Sequence, residues 1–302
     1  MPPDHNRISI IIPTYNGASR ILDCLNSIKK QTQGNTEIIV VVDGSKDNTE
    51  EILKPFNSSL KILFQSNKGR AVTRNNGFKA ASEEIIFFVD DDMRLTENTL
   101  ESHLKHQLDH PDSILVGKVK MDQSKIKTGF TQYIDTLYEK WDTSYREKSI
   151  VTERNLKFTT QHVSMPRQIF ERLGGFDSRL TDGEDYDFAM RALQAKIKIF
   201  YDPQIIAYHD DFPNCEKYIK RQVEYKLSHQ KLASLEKEYQ SDLFPVIKKP
   251  SSFRCIISRF FTSKKWVSWV DEERLSYLPN KLKFRIYSEI IYAHTLKGLG
   301  LL

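Results

Sequence analysis

The stretch ISIIIP, residues 8–13, is a short β-branched run of the kind that forms a buried strand. Similar runs return as EIIVVVD at 37–43, LKILFQ at 60–65 and EIIFFVDDD at 84–92, and a helical pattern follows each of the four. Strand and helix alternating in this way predict an α/β fold. Continuous Ile and Val runs fit strands that are covered on both faces. We therefore expect an open, mostly parallel, doubly wound sheet with helices on both faces.

After residue 120 the regular alternation of strands and helices ends, and predicted strands become fewer. We expect a strand at 158–165, two short strands within KIKIFYDPQIIAYHDD at 196–211, and helices in the basic and aromatic remainder. The sequence thus predicts an α/β domain over residues 1–212. A helical C-terminal extension over residues 213–302 would pack on this domain or on a membrane surface.

The composition is that of a globular protein with a sizeable core, since 39% of the 302 residues are hydrophobic and 28% are charged. The 3 cysteines are far apart and odd in number, which argues against a disulfide framework or a zinc cage and suits a reducing compartment. No secretory signal is visible, and no stretch approaches the roughly 20 apolar residues that span a bilayer. We expect a cytoplasmic protein, either soluble or peripheral on the inner face of the cell membrane.

Polar side chains follow the predicted strands where each strand ends. Thr14, Tyr15 and Asn16 follow the first strand, Asp43 ends the second, and Asp90–Asp92 end the fourth. Open α/β sheets bind ligands at the carboxyl ends of their strands, so these groups should share one site. The first strand leads into PTYNGAS, which lacks the glycine pattern of a dinucleotide oxidoreductase or a P-loop.

The three adjacent carboxylates of Asp90, Asp91 and Asp92 are the strongest single signal in the sequence. They would repel one another in a folded site unless a cation or solvent screened them. One interpretation is a solvated strand end or turn. The other is a Mg²⁺ or Mn²⁺ site that bridges to substrate phosphates, and the apolar run that leads straight into the carboxylates favours it.

Taken together, these motifs make the chain resemble an inverting family 2 glycosyltransferase with the GT-A fold. Each motif alone is weak, but six in the same order over roughly residues 8–210 are specific. The matching pieces are SIIIPTYN (9–16), VVVDGSKDNT (40–49), NKGRAVTRNNG (67–77), FFVDDD (87–92), GGFDSRLTDGEDYDFAMR (174–191) and YHDD (208–211).

The resemblance implies that residues 1–212 form a nucleotide-sugar-binding and catalytic domain, with a donor site for a nucleotide-diphosphate sugar. In such a site Asp43 would accept a hydrogen bond from the base, although an Asp-Gly pair is also a common turn. Arg74 would lie near the base or the diphosphate, or else be a surface charge on a helix. The residues implied in nucleotide or donor binding are Pro13, Thr14, Tyr15, Asn16, Asp43, Arg74, Asp90 and Asp91.

The same resemblance implies a divalent cation, Mn²⁺ or Mg²⁺. Asp92 would be its direct ligand, and Asp90 would contact the ribose or reach the metal through water. His209 matches a histidine that completes the metal or diphosphate contacts in many members, although a histidine after a strand is often only a polar edge residue.

The pair Glu184-Asp185 matches the acidic pair of the family at a helix start. An inverting transfer needs one base that takes a proton from the acceptor hydroxyl, and we expect Asp185 to be that base. Glu184 would belong to the catalytic site with Asp185 and contact the acceptor. The alternative is simple capping, because acidic residues are common in a first helical turn. His162 stands where relatives often carry Asn, at a position that tends to face donor sugar or acceptor, so it is a second expected acceptor contact.

The predicted function is therefore metal-dependent, inverting transfer of a sugar, with UDP as the preferred nucleotide, to a hydroxyl of a glycan or lipid-linked acceptor. Cell-surface polysaccharide or glycolipid synthesis is the expected setting. The Q-x-x-R-W motif of processive synthases is missing, which favours single addition. One alternative is a sugar-1-phosphate nucleotidyltransferase, but PTYNGAS does not supply the Gly-rich basic loop that it would need. The other is a degenerate nucleotide-sugar-binding scaffold.

The C-terminal part of the chain raises a separate question about partners. Residues 245–302 hold 11 Lys and Arg against 4 Asp and Glu, whereas the rest holds 34 against 36. Within residues 250–270 an amphipathic helix is expected, which would either bind an anionic membrane or pack its apolar face on the protein. No motif supports nucleic-acid binding. The apolar positions are Phe253, Ile256, Ile257, Phe260 and Phe261.

Overall fold

The computed structural model describes residues 7–31, 36–142, 145–235 and 249–302. The chain divides into two compact units. The first comprises Met1–Lys120 and Asp142–Asp210, and the second comprises Met121–Trp141 and Asp211–Leu302. Residues 121–141 thus group with the C-terminal part of the chain, which no sequence pattern indicated.

Four parallel strands build one half of the sheet in the first unit. They lie in the order β3-β2-β1-β4, with Ile8 of β1 opposite Thr36 of β2 on one side and Ile85 of β4 on the other. All four carboxyl ends therefore point to the same edge. Their bounds are β1 (Ile8–Thr14), β2 (Thr36–Asp43), β3 (Lys61–Gln65) and β4 (Ile85–Val89).

The other half of the sheet contains antiparallel pairs, β8 with β4 and β6, and β9 with β5 and β7, so the sheet as a whole is mixed. The order continues from β4 through β8, β6, β9 and β5, and β7 pairs with β9. The strand β9 is continuous where two short strands were expected, because alternate burial of its side chains runs unbroken through Pro203. These strands are β5 (Met93–Leu95), β6 (Ser113–Met121), β7 (Ser149–Ile150), β8 (His162–Pro166) and β9 (Lys198–His209).

Helices follow the strands much as the apolar periodicity predicts. They are α1 (Ile21–Lys29), α2 (Thr49–Leu53), α3 (Arg70–Ala80), α4 (Thr99–Asp109), α5 (Gly129–Asp142), α6 (Arg167–Arg172), α7 (Glu184–Gln194), α8 (Cys215–Leu235), α9 (Ser252–Phe261), α10 (Lys264–Asp271) and α11 (Asn280–Gly298). Among the described residues, none of these helices is long and apolar enough to cross a bilayer.

An aromatic cluster in the first unit ties the end of β4 to α6 and α7. Phe88 of β4 lies 5.2 Å from Phe170 of α6 and 5.3 Å from Phe176, measured between ring centroids. Phe188 of α7 lies 5.1 Å from Phe176. Phe88 stands two residues before Asp90, and Phe188 stands three residues after Asp185. Packing of these rings therefore fixes the two groups of carboxylates relative to each other.

The second unit has its own apolar core, made by α5 and the C-terminal helices. Phe130 and Tyr133 of α5 pack on Tyr287 of α11, with ring centroids 5.6 and 5.8 Å apart. The first amide of α8, at Cys215, donates a 2.6 Å hydrogen bond to the carboxylate of Asp271 at the end of α10. The basic residues of this part of the chain thus surround a buried apolar core.

Candidate functional site

A cavity of about 300 Å³ opens at the carboxyl edge of the parallel strands in the first unit. Eight residues that the sequence analysis assigned to the donor or metal site line it, so the structure does bring them together. They are Pro13, Thr14, Tyr15, Asp43, Arg74, Asp90, Asp91 and Asp92. This outcome follows from the topology, because parallel neighbours end at one edge.

Asp91 turns into the protein and holds the first loop in place. Its Oδ2 accepts a 2.5 Å hydrogen bond from the Thr14 hydroxyl, and its Oδ1 accepts a 2.8 Å bond from Nε of Arg20. Gly17 is required beside this pair, since an added Cβ would stand only 2.3 Å from Asp91 Oδ2. Burial raises the pKa of Asp91 to about 6, although Arg20 opposes the shift. Asp91 therefore ties the end of β4 to the loop after β1.

Asp43 holds the loop that leads into α3. Its carboxylate accepts backbone N–H bonds from Lys68 (2.7 Å) and Gly69 (3.0 Å), and a side-chain bond from Gln65 (2.8 Å). A carboxylate offers about four acceptor positions, so one position remains for a ligand. The turn interpretation also holds, because Gly44 has a φ of 66° and an added Cβ there would clash with the backbone of Asn67.

Asn16 bridges two loops and is not among the residues that line the cavity. It adopts a φ of 51°, its backbone N–H donates to the hydroxyl of Ser45 (3.0 Å), and its Oδ1 accepts from the amide of Lys46 (2.7 Å). The structure thus gives Asn16 the role of joining the loop after β1 to the loop after β2.

Arg74 is a buried cation between two carboxylates. Its Nη2 lies 2.6 Å from Oδ1 of Asp90, and its Nη1 lies 2.5 Å from Oε1 of Glu184. Burial alone would lower the pKa of the guanidinium, but Asp90 and Glu184 more than compensate and raise it. Because Arg74 is only 2% exposed, the surface-charge interpretation is wrong.

Asp92 and His209 meet at the end of β4. Pairing of β5 with β9 sets Met93 opposite His209, and His209 Nε2 lies 3.3 Å from Asp92 Oδ2. Burial alone would raise the pKa of Asp92, but His209 lowers it to about 2. The buried Oδ1 of Asp92 has no hydrogen-bond partner among the described residues. The unsatisfied carboxylate oxygen suits either Mg²⁺ or Mn²⁺, whereas the imidazole is a ligand for transition-metal ions.

Glu184 and Asp185 begin α7, directly after Gly183 with its φ of 79°. Glu184 is buried, and its Oε2 lacks a hydrogen-bond partner within the described part of the chain. Asp185 accepts a 2.8 Å hydrogen bond from the amide of Tyr186, so it does cap one first-turn N–H. Burial and the neighbouring carboxylate of Glu184 raise the pKa of Asp185 to about 7, although Arg74 opposes the shift. This value is suited to a general base near neutral pH.

His162 is not brought to this site. It is 0% exposed, and its Nε2 lies 3.1 Å from Nε2 of His103 on α4. His103 Nδ1 in turn lies 2.8 Å from the hydroxyl of Ser164, and Phe87 packs on both imidazoles. An acceptor cannot reach a side chain enclosed in this way. The expected acceptor contact of His162 is therefore wrong, and the residue belongs to the buried core.

Two arginines of the site were missed by the sequence analysis. Arg20 and Arg70 both line the cavity, and Arg70 Nη1 lies 3.4 Å from Oδ1 of Asp182 in the loop before α7. Both residues belong to segments that follow strand ends, after PTYN and in NKGR. An anionic ligand that binds beside three carboxylates needs cations nearby, and this requirement could have identified Arg20 and Arg70 from the sequence.

Comparisons with known proteins agree with this geometry. Residues 9–174 match the sequence family described as glycosyl transferase family 2. An uncharacterized glycosyltransferase of Rickettsia typhi is 28% identical over 66% of this chain. The match spans 62% of that relative, which is less than two thirds of its length.

Two solved structures share the fold of this chain. One is S. aureus TarS 1-349 in complex with UDP, with a TM-score of 0.55, 19% identity and coverage of 97% of this chain and 90% of that one. The other is the mannosyltransferase PcManGT from Pyrobaculum calidifontis in complex with GDP-Man and Mn²⁺, with a TM-score of 0.57, 18% identity and coverage of 99% and 89%. The predicted GT-A fold is confirmed.

The buried histidine pair makes the stability of the fold sensitive to acid. Burial lowers the pKa of both His103 and His162, that of His162 to about 3. The unfolded chain takes up these protons below about pH 6.5, whereas the folded chain does not, so stability is full above that pH and falls as the pH drops. Each histidine should remove about 1.4 kcal/mol of unfolding free energy per pH unit below pH 6.

Urea unfolding of the wild type and of His162→Asn between about pH 7.5 and pH 5 measures this effect. We expect the variant to lose stability less steeply, by about 1.4 kcal/mol per pH unit. His110→Gln is the control, because His110 is exposed at the C-terminal end of α4, the helix that carries His103, and it should keep the wild-type slope. Equal slopes in His162→Asn and the wild type would contradict the account.

Proposed function

The chain belongs to glycosyl transferase family 2, and from this premise we propose that it is a metal-dependent, inverting glycosyltransferase. Its donor would be a nucleotide-diphosphate sugar and its acceptor a hydroxyl group on a glycan or a lipid-linked glycan. One observation carries the proposal. A cavity lined by Asp90, Asp91 and Asp92 is joined through Arg74 to the acidic pair that begins α7.

The donor would lie in the cavity with its base toward Asp43 and its diphosphate toward the carboxyl end of β4. Asp43 keeps one acceptor position for a base N–H. Tyr15, which is 41% exposed, offers an aromatic face at the same edge. We propose UDP as the nucleotide to test first, since TarS was crystallised with UDP, and GDP second, since PcManGT was crystallised with GDP-Man.

Asp92 and His209 would hold the divalent cation, and Asp90 would face the ribose or a water on the metal. A bound Mn²⁺ or Mg²⁺ would neutralise charge that develops on the leaving diphosphate. Arg20 and Arg70, which line the cavity, add positive charge on the protein side. Arg74 lines the cavity and is engaged by Asp90 and Glu184, so we propose that it positions these carboxylates beside the donor.

Asp185 would act as the base for an in-line displacement. The acceptor oxygen forms a bond to the anomeric carbon, the bond from that carbon to the diphosphate oxygen breaks, and the electron pair leaves with the diphosphate. The acceptor proton passes to Asp185, whose pKa of about 7 lets it accept the proton near neutral pH. One such displacement inverts the anomeric centre. Glu184, held by Arg74, would orient the acceptor.

We further propose that the protein adds single sugars during cell-surface polysaccharide or glycolipid synthesis, in the cytoplasm. The absence of the processive Q-x-x-R-W motif supports single addition. Three free cysteines, two of them buried, support a reducing compartment. The alternative of a degenerate scaffold loses support, because each carboxylate that the reaction needs is present.

Replacing Asp185 by Asn should abolish transfer and leave donor binding nearly intact, because the change removes the base but not the cavity lining. Nucleotide release from UDP-sugars and GDP-sugars, with a panel of glycan and lipid-linked acceptors, should fall by about 10²-fold or more. Calorimetric titration with the matching nucleotide should give an affinity within about threefold of wild type. Asp109→Asn, at an exposed carboxylate on α4, is the matched control. Retained turnover in Asp185→Asn would remove it as the base.

The rate of transfer should also depend on pH through Asp185. The ionised carboxylate is the active form, and its pKa is raised to about 7. The rate at saturating donor and metal should therefore rise about tenfold per pH unit below pH 7 and level off above it. A profile that is already flat from about pH 5 upward would contradict the raised pKa of this group.

A further inference from the structure

The helix α9 presents a row of large apolar side chains to solvent. Phe253 is 73% exposed, Ile256 67% and Phe260 64%. Their spacing of i, i+3 and i+7 places all three on one face of the helix. We call these three residues the α9 apolar row. Isolated exposed apolar residues are ordinary, but a continuous row of this size marks an interaction surface.

The opposite side of α9 is already used to pack on the second unit. Ser258, on nearly the other side of the helix from Phe253, is fully buried. Arg254 makes a 2.7 Å ion pair with Glu289 of α11 and lies 4.7 Å from the ring of Tyr292. The helix is thus held in place by its other face. Of the five apolar positions expected to pack or to bind a membrane, Ile257 and Phe261 are partly buried and the other three are exposed.

The α9 apolar row continues into two tryptophans of α10. Phe260 lies 5.4 Å from Trp266, and Trp266 lies 5.2 Å from Trp269, measured between ring centroids. Trp269 is 38% exposed. Tryptophan is the side chain that best suits the boundary between lipid headgroups and acyl chains, since its ring is apolar and its N–H is polar.

The segment that carries the row is basic. Residues 249–270 contain five Lys or Arg and no Asp or Glu. Lys249, Arg259, Lys264 and Lys265 are exposed. Each such charge near an anionic lipid surface adds to binding. A second copy of this chain is a poorer partner, because pairing two such faces would bring the exposed Lys and Arg of both copies together, and this segment has no acidic residue of its own.

From this geometry we propose that α9 and the start of α10 dock on an anionic lipid bilayer. The α9 apolar row lies at the boundary of headgroups and acyl chains, and the surrounding Lys and Arg contact lipid phosphates. The inference does not depend on the transferase activity, because it rests on residues 249–270 alone.

Flotation of the full chain with vesicles tests the proposal. The vesicles are phosphatidylcholine alone or phosphatidylcholine mixed with phosphatidylglycerol. Wild-type protein should bind the mixed vesicles at least about tenfold more tightly than the neutral ones. Phe253→Ser/Ile256→Ser should lower binding to the mixed vesicles at least about tenfold, since both side chains lose their apolar contact. Neither residue is in the buried core, so circular dichroism and the melting temperature should stay at wild-type values.

Two further variants separate the contributions of apolar surface and charge. Phe64→Ser removes a phenylalanine that is 53% exposed on β3, outside this surface, and should bind vesicles as the wild type does. Lys264→Ser/Lys265→Ser should reduce the preference for mixed over neutral vesicles. Absence of wild-type binding to mixed vesicles would overturn the proposal, as would undiminished binding by Phe253→Ser/Ile256→Ser. The proposal would also be overturned if the wild type sedimented as a dimer and Phe253→Ser/Ile256→Ser sedimented as a monomer.

Discussion

The site depends on one buried cation. Arg74 comes from α3, and its two nitrogens reach Asp90 after β4 and Glu184 at the start of α7. These carboxylates are distant in sequence, and without a cation between them they would repel each other in a site with little water. Removing one partner of such a buried pair typically costs about 3–5 kcal/mol. The aromatic cluster of Phe88, Phe176 and Phe188 also holds these carboxylates in position, because it packs the end of β4 against α7.

The three adjacent aspartates are stable because each has a different environment. Asp90 pairs with Arg74, Asp91 binds Arg20 and Thr14 inside the protein, and Asp92 faces His209. The pKa values of Asp91 and Asp92 separate accordingly, since that of Asp91 is raised to about 6 and that of Asp92 is lowered to about 2. Of these three aspartates, Asp92 alone keeps a buried oxygen that has no hydrogen-bond partner within the described part of the chain, which makes it the proposed metal ligand.

Much of this site could be predicted from the sequence, because parallel strands bring their ends to one edge. The clustering of Thr14, Asp43 and Asp90 there follows from topology alone. The position of His162 could not be predicted, since every residue of β8 is buried and the pattern does not tell which face meets the site. His103, its partner in the core, lies on a helix 59 residues away in the sequence. The exposure of Phe253 could not be predicted from the sequence either, because an amphipathic pattern shows that one helix face is apolar but not what covers that face.

The most direct test of the account is whether metal and nucleotide bind together at the carboxyl edge. Calorimetric titration of UDP and GDP, with Mn²⁺ or with a chelator, should give binding of one nucleotide that is at least about tenfold tighter with the metal. Asp92→Asn should lose that gain, while Asp109→Asn should keep it. Equal affinity with and without Mn²⁺, or an undiminished gain in Asp92→Asn, would contradict the assignment of Asp92 and His209 as the metal site.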